Sequence, residues 1–163
     1  MFITSGVSSK NYNKCVKLIK EELIRRKKLF SDYGGEYKNY IQNSKEKLPV
    51  YTVILNNYDS IYDSNPNIYE ELPDLIRDSE RYGVVFVITA NAINSVQTKI
   101  VQNCPNVYTL KLKDNTEYSS AFGKSVKTSP RNMKGRGFVN VNGIHEFQTA
   151  SIVSENLNEF ISN

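Results

Sequence analysis

The sequence has no tryptophan, a single histidine and only two cysteines among its 163 residues. His145 lies between Ile144 and Phe147 with no nucleophile beside it, which argues against Ser-His-Asp or Cys-His chemistry. Cys15 and Cys104 stand far apart, and no Cys/His spacing suits zinc, so no metal ligands are assigned. A secreted chain of this length more often carries a disulfide framework, so reduced thiols and a cytoplasmic compartment are expected. Long apolar runs are also absent. The longest, Val84 to Ile88, is far too short to cross a bilayer, and polar residues follow Met1-Phe2-Ile3 at once, as no secretory signal would. These features predict a soluble chain with one hydrophobic core.

Acidic residues are missing from one stretch in particular. None occurs from Tyr118 to His145, where Lys124, Lys127, Arg131, Lys134 and Arg136 all fall. With a net charge of +4 overall, such a segment suits phosphates or an acidic partner, or it is a solvated loop punctuated by Gly and Pro. No aromatic residue interleaves with these charges, which counts against a stacking platform for single-stranded nucleic acid.

What is present reads as alternating strands and helices. Phe2-Ile3-Thr4 suits a short strand, and Ser8 or Ser9 an N-cap for a helix running to about Phe30. Val16, Ile19, Leu23 and Phe30 supply its buried stripe, Glu22 and Arg26 a favourable i,i+4 pair, and Arg25-Arg26-Lys27-Lys28 a solvated face. Gly34-Gly35 stops it, and a second helical piece is expected over Tyr37 to Ser44. Val50 to Leu55 is a β-branched apolar run of the kind found in a central parallel strand, ended by Asn56 and Asn57. After a polar loop come a helix over about Tyr69 to Arg81, with Leu72, Leu75 and Ile76 inward, and a buried strand over Val84 to Ile88. A helix over Ile93 to Gln102, a third strand over Val107 to Leu112 and a short helix from Asp114 to Phe122, with Asp114 or Asn115 as its cap, follow. Asn142-Gly143 joins Phe138–Val141 to Ile144–Thr149 as a hairpin. The order predicts an α/β sheet with parallel crossovers, finished by an antiparallel ribbon. Ligands of such sheets bind beyond the carboxyl ends of the strands, here Asn56-Asn57 and Thr89-Ala90-Asn91, unless these polar groups simply end strands.

The series YTVILNNYDSI, LIRDSERYGVVFVITAN, DNTEYSSAFGK and KGRGF resembles the C-terminal half of FtsK/SpoIIIE-type P-loop ATPase domains, nearest in flavour to the EssC/YukB type of Gram-positive type VII secretion. KLIKEELIRRKKLFSDYGG resembles the long helix before their Walker B strand. The resemblance implies a single partial domain over residues 1–163. Its expected fold is a RecA-like, three-layer core with a mostly parallel sheet, lacking the Walker A strand and ending in an antiparallel hairpin. Val50 to Leu55 would be the Walker B strand, and Asn56 and Asn57 would occupy its Asp-Glu positions. Amides neither bind a hard dication well nor accept a proton from water. Asp59, two residues further on, is not expected to substitute. Asn91 matches the polar sensor position, and Ser79-Glu80 stand where many members have Gly-Arg. Nothing matches GxxxxGK[ST]; Gly6-Val7-Ser8-Ser9-Lys10 lacks its second Gly and its Ser/Thr. The chain is therefore expected to begin after the Walker A strand, leaving a sheet edge open to dimerisation or local rearrangement.

The implied function is a degenerate, non-hydrolysing module on the cytoplasmic side of a membrane-anchored secretion ATPase. ATP and magnesium belong to the intact family domain, and neither is assigned to this chain. Implied partners are sister ATPase domains and small helical-hairpin substrates carrying a Trp-x-Gly turn. The alternative is part of a DNA translocase or conjugation ATPase, with Lys124 to Arg136 touching phosphates. The asparagine pair counts against any motor, because translocation needs hydrolysis.

Overall fold

A computed structural model describes residues 2–3, 9–64 and 66–150. The chain forms two compact units, 1–103 and 104–163.

The first unit is built on a parallel three-stranded sheet in the order β1-β2-β3, with β1 over Phe2–Ile3, β2 over Tyr51–Leu55 and β3 over Val84–Ile88. β2 pairs with β3 along its whole length, Tyr51 opposite Val84 and Leu55 opposite Ile88. Its central place agrees with the apolar sequence of the strand. β3 is instead an edge strand of this sheet, and Val85 and Val87 on it are exposed, against the expectation of a strand buried on both faces. Alternation explains the division: Val53 and Leu55 turn into the core, while Thr52 lies on the face shared with Val85.

Helix α1 spans Ser9–Leu29, so its start agrees with the expected cap region, while Ser8 lies outside the described residues. Tyr12, Val16 and Ile19 are buried along its inner side, Phe30 is buried just past its end, and Leu23 is half-buried. A 3₁₀ turn, Ser31–Tyr33, then ends at Gly34 with φ 79°, the left-handed geometry that glycine adopts without strain. Helix α2 covers Tyr37–Asn43. The segment after β2, expected as a polar loop, contains helix α3 over Tyr58–Ser64. Its apolar signal is confined to residues such as Tyr58 and Ile61, both buried, which is too short a pattern to register as a period. Helix α4, Pro66–Ser79, starts on the proline that suits a first helical turn and buries Leu72 and Ile76. A 3₁₀ turn, Glu80–Tyr82, and left-handed Gly83 lead into β3. The expected single helix over Ile93 to Gln102 is split into a 3₁₀ turn, Ile93–Ser95, and helix α5, Thr98–Asn103.

Arg26 belongs to the core, not to a solvated face. It is 2% exposed and pairs with Glu22 at 2.6 Å. Its guanidinium donates to the carbonyls of Pro49, Tyr82 and Gly83. One side chain thereby ties α1 to the starts of β2 and β3, and only the planar five-donor fork of arginine serves so many acceptors.

The second unit holds an antiparallel sheet in the order β4-β5-β6: Tyr108–Thr109, Arg136–Asn140 and Ile144–Gln148. The expected third strand is thus shorter than Val107 to Leu112, and it pairs antiparallel with β5 instead of extending the parallel sheet. Helix α6, Asn115–Phe122, is capped by Asp114, one of the two residues expected there, and its carboxylate accepts from Thr116 N and Glu117 N. Tyr118, Phe122, Val126 and Phe138 form the core of this unit. Asn142 (φ 50°) and Gly143 (φ 133°) make the hairpin turn.

Candidate functional site

The carboxyl ends of β2 and β3 are stitched together by side chains. Pairing continues past the strands, Thr89 N donating to Leu55 O and Tyr58 N to Thr89 O. Thr89 then serves both asparagines: its hydroxyl donates to Asn56 Oδ1 at 2.8 Å and accepts from Asn57 N at 3.0 Å. Asn57 has φ 58°, a left-handed conformation in which asparagine is enriched among non-glycine residues. Its amide nitrogen donates to Ser60 Oγ at 3.0 Å, and its Oδ1 accepts from Asn91 Nδ2 at 2.9 Å. The residues expected at the Walker B and sensor positions are thus in mutual contact.

Asp59 is the carboxylate of this end, and it is occupied. Its Oδ2 accepts from Asn91 N at 2.8 Å. Burial works to raise its pKa, but hydrogen bonds from the Ser95 hydroxyl and from backbone amides that include Asn91 and Ala92 hold it below the ordinary aspartate value. Ser60 and Ser95 belong to the network without having been singled out in the sequence. The spacing Asn57-x-x-Ser60 at a helix start was a signal for Ser60, and Ser95 had none.

A magnesium ion does not fit these residues. The carbonyl oxygens of Asn56 and Asn57 already accept hydrogen bonds, the amides carry no charge, and the Asp59 carboxylate is bound to backbone. Among the described residues no group of three His, Cys, Asp or Glu side chains could hold a metal ion. Ser79 and Glu80 lie elsewhere, at the amino end of β3, where the Ser79 hydroxyl donates back to Leu75 O.

The five basic candidates fall in the second unit. Lys124 Nζ donates to Asn140 Oδ1 at 2.8 Å. Arg131 gives its backbone N–H and its Nε to Glu146, and Arg136 Nε stands 3.9 Å from the same carboxylate. The backbone Arg131 contact comes first among the causes that hold Glu146 below the ordinary glutamate pKa. Lys127 and Lys134 are exposed, and their backbone carbonyls accept from Asn115 and Gln148. The acid-free stretch is therefore answered by the first acid beyond it, which the hairpin folds back onto its two arginines.

No protein-family model matches the chain. Curated relatives do. The ESX secretion system protein YukB of Bacillus subtilis (strain 168) is 31% identical over 117 residues, covering 71% of this chain and 8% of the relative. The ESX secretion system protein EccC of Geobacillus thermodenitrificans (strain NG80-2) is 28% identical over the same length, with the same shares. This chain is a homologue of the EssC/YukB/EccC ATPases of type VII secretion. It spans less than a tenth of the length of these relatives. Among solved structures, EssC (ATPases 2 and 3) from Geobacillus thermodenitrificans superposes with a TM-score of 0.80 at 24% identity, covering 93% of this chain and 30% of that one. Thermomonospora curvata EccC (ATPases 2 and 3), in complex with a signal sequence peptide, gives 0.66 at 18% identity, covering 88% and 28%. The cytoplasmic domain of EssC gives 0.61 at 23% identity, covering 90% and 30%. The α/β fold is that of the EssC/EccC ATPase domains. Among the described residues, no helix is long and apolar enough to cross a membrane.

Proposed function

We propose that this chain is a non-hydrolysing module of a membrane-anchored type VII secretion ATPase, acting at its cytoplasmic side through protein contacts. One observation carries the reading: the strand ends that need two acids for magnesium and water hold Asn56, Asn57 and Asn91, with Thr89 bonded to the first two and Asn57 bonded to Asn91. A module without turnover contributes by binding, and its partners are sister ATPase domains and the helical-hairpin proteins that such a system exports. A solved EccC relative held with a signal sequence peptide supports a docking role. The pairing of Arg131 and Arg136 with Glu146 favours protein over duplex DNA as partner.

Phosphate release from magnesium-ATP is expected to stay at the background of a protein-free control, with Asn57→Ala indistinguishable from the parent. Release well above background that Asn57→Ala abolishes would overturn the proposal.

A further inference from the structure

Asn142-Gly143 is the only Asn-Gly pair in the chain, and the fold sets it at the tip of the β5–β6 hairpin. The ladder closes at Asn140 opposite Ile144, so the pair lies outside it. Asn142 is exposed, with φ 50°, and Gly143 has φ 133°. Among the described residues, neither the Asn142 side-chain amide nor the Gly143 N–H has a hydrogen-bond partner. The turn's own bond, from Val141 N to Gly143 O at 2.9 Å, uses neither group. Other asparagines of the chain are held: Asn57 and Asn91 bond to each other, Asn56 Oδ1 accepts from Thr89, and Asn140 Oδ1 accepts from Lys124.

The residue after an asparagine ordinarily screens its own backbone nitrogen with a side chain, and glycine has none. Apart from its chain neighbours, only the His145 ring comes within 4 Å of where a Cβ on Gly143 would stand, with Nε2 at 3.4 Å. The nitrogen of Gly143 and the side-chain carbonyl carbon of Asn142 are thus a nucleophile and an electrophile on adjacent residues. Neither is held by a hydrogen bond, and no bulky side chain of Gly143 itself keeps them apart.

We propose that Asn142 is a site of spontaneous covalent modification, deamidated through a cyclic imide formed with Gly143. The Gly143 nitrogen gives its proton to water and attacks Asn142 Cγ. A bond from that nitrogen to Cγ forms, the bond from Cγ to the amide nitrogen breaks, and ammonia leaves with the proton. Water then opens the imide at one of its two carbonyls. Opening at Cγ restores the backbone with aspartate, and opening at the backbone carbonyl leaves isoaspartate, its chain running through the side chain. No oxidant or reductant is needed. Either product places a carboxylate in the stretch from Tyr118 to His145, which has none. Isoaspartate also lengthens the loop that sets the register bringing Glu146 to Arg131 and Arg136. The modification is independent of the proposed function.

Incubating the whole folded chain in mildly alkaline buffer tests the proposal, with the same chain unfolded in urea as comparator. A species of lower positive charge is expected to accumulate and to elute earlier from a cation exchanger. Peptide mapping by mass spectrometry should place the change from amide to acid at Asn142 ahead of every other asparagine. Labelling by an isoaspartyl methyltransferase should show isoaspartate in the same peptide. Asn142→Gln, whose longer side chain disfavours the five-membered imide, should abolish the early-eluting species. Asn142 that keeps its amide in the folded chain while the unfolded chain loses it would overturn the proposal, because the hairpin then protects the pair. So would a change that maps first to another asparagine, such as Asn94 before Ser95. Aspartate without isoaspartate at position 142 would overturn the imide route.

Discussion

Two polar residues show how differently a side chain is used once it is held from several sides. Asn57 adopts a left-handed backbone and satisfies both ends of its amide, so the position is served by asparagine on conformational as well as chemical grounds. Arg26 neutralises Glu22 and caps three carbonyls at the starts of β2 and β3, with its guanidinium 5.9 Å from the Tyr37 ring centre. Removing one partner of a buried, hydrogen-bonded pair leaves its acceptors uncompensated. Arg26→Ala is expected to cost about 3–5 kcal/mol by denaturant unfolding. Arg26→Lys should recover little of it, because an ammonium cannot span the three carbonyls. A loss below about 1 kcal/mol for Arg26→Ala would show that the carbonyls find other donors. The sequence marked Arg26 only as the i,i+4 partner of Glu22 and otherwise grouped it with Arg25, Lys27 and Lys28 on a solvated face. Only the starts of two strands, brought beneath α1, make one of the four a core residue.

At the scale of elements, legibility followed how local each signal is. The asparagines at the end of β2, the Asp114 cap and the Asn142-Gly143 turn depend on neighbouring residues and could be read directly. The fate of the third strand depends on partners remote in sequence, since Tyr108–Thr109 carries no mark of which sheet it joins. Helix α3 was hidden because seven residues give too few turns for a period. Of the candidate site, the amides were visible, while the Ser95 hydroxyl was not, because it reaches Asp59 from a remote segment. Gly137 is another element-scale device. A Cβ there would lie 2.0 Å from Thr109 O, so β4 packs against β5 only over a glycine. Gly137→Ala should separate the pair or shift the backbone, at about 1–3 kcal/mol, read as a lowered Tm. A melt unchanged from the parent would mean that β4 does not depend on that close approach.

Among the described residues, the carboxylates with resolved pKa shifts all move down. Glu22 is lowered from 4.5 to about 2, chiefly by the hydrogen bonds it accepts from Arg25, with Arg26 adding to them against the opposing effect of burial. Asp59, Asp78 and Glu146 are lowered as well. A carboxylate whose folded pKa is depressed binds fewer protons folded than unfolded, so its stabilisation is present above the unfolded value. That stabilisation fades as pH falls through the folded one. For Glu22 the window runs from about 5 down to about 2. Tm should therefore decline steadily over that range. Glu22→Gln lowers Tm near neutrality, because the Arg25 and Arg26 guanidiniums lose their counter-charge. It also flattens the acid slope, since the group that titrates is gone. The two melting curves should converge toward pH 2, where the native glutamate is itself half protonated. Curves that stay parallel from neutral to acid pH would place the acid sensitivity in the other carboxylates and leave Glu22 as a pH-independent contact.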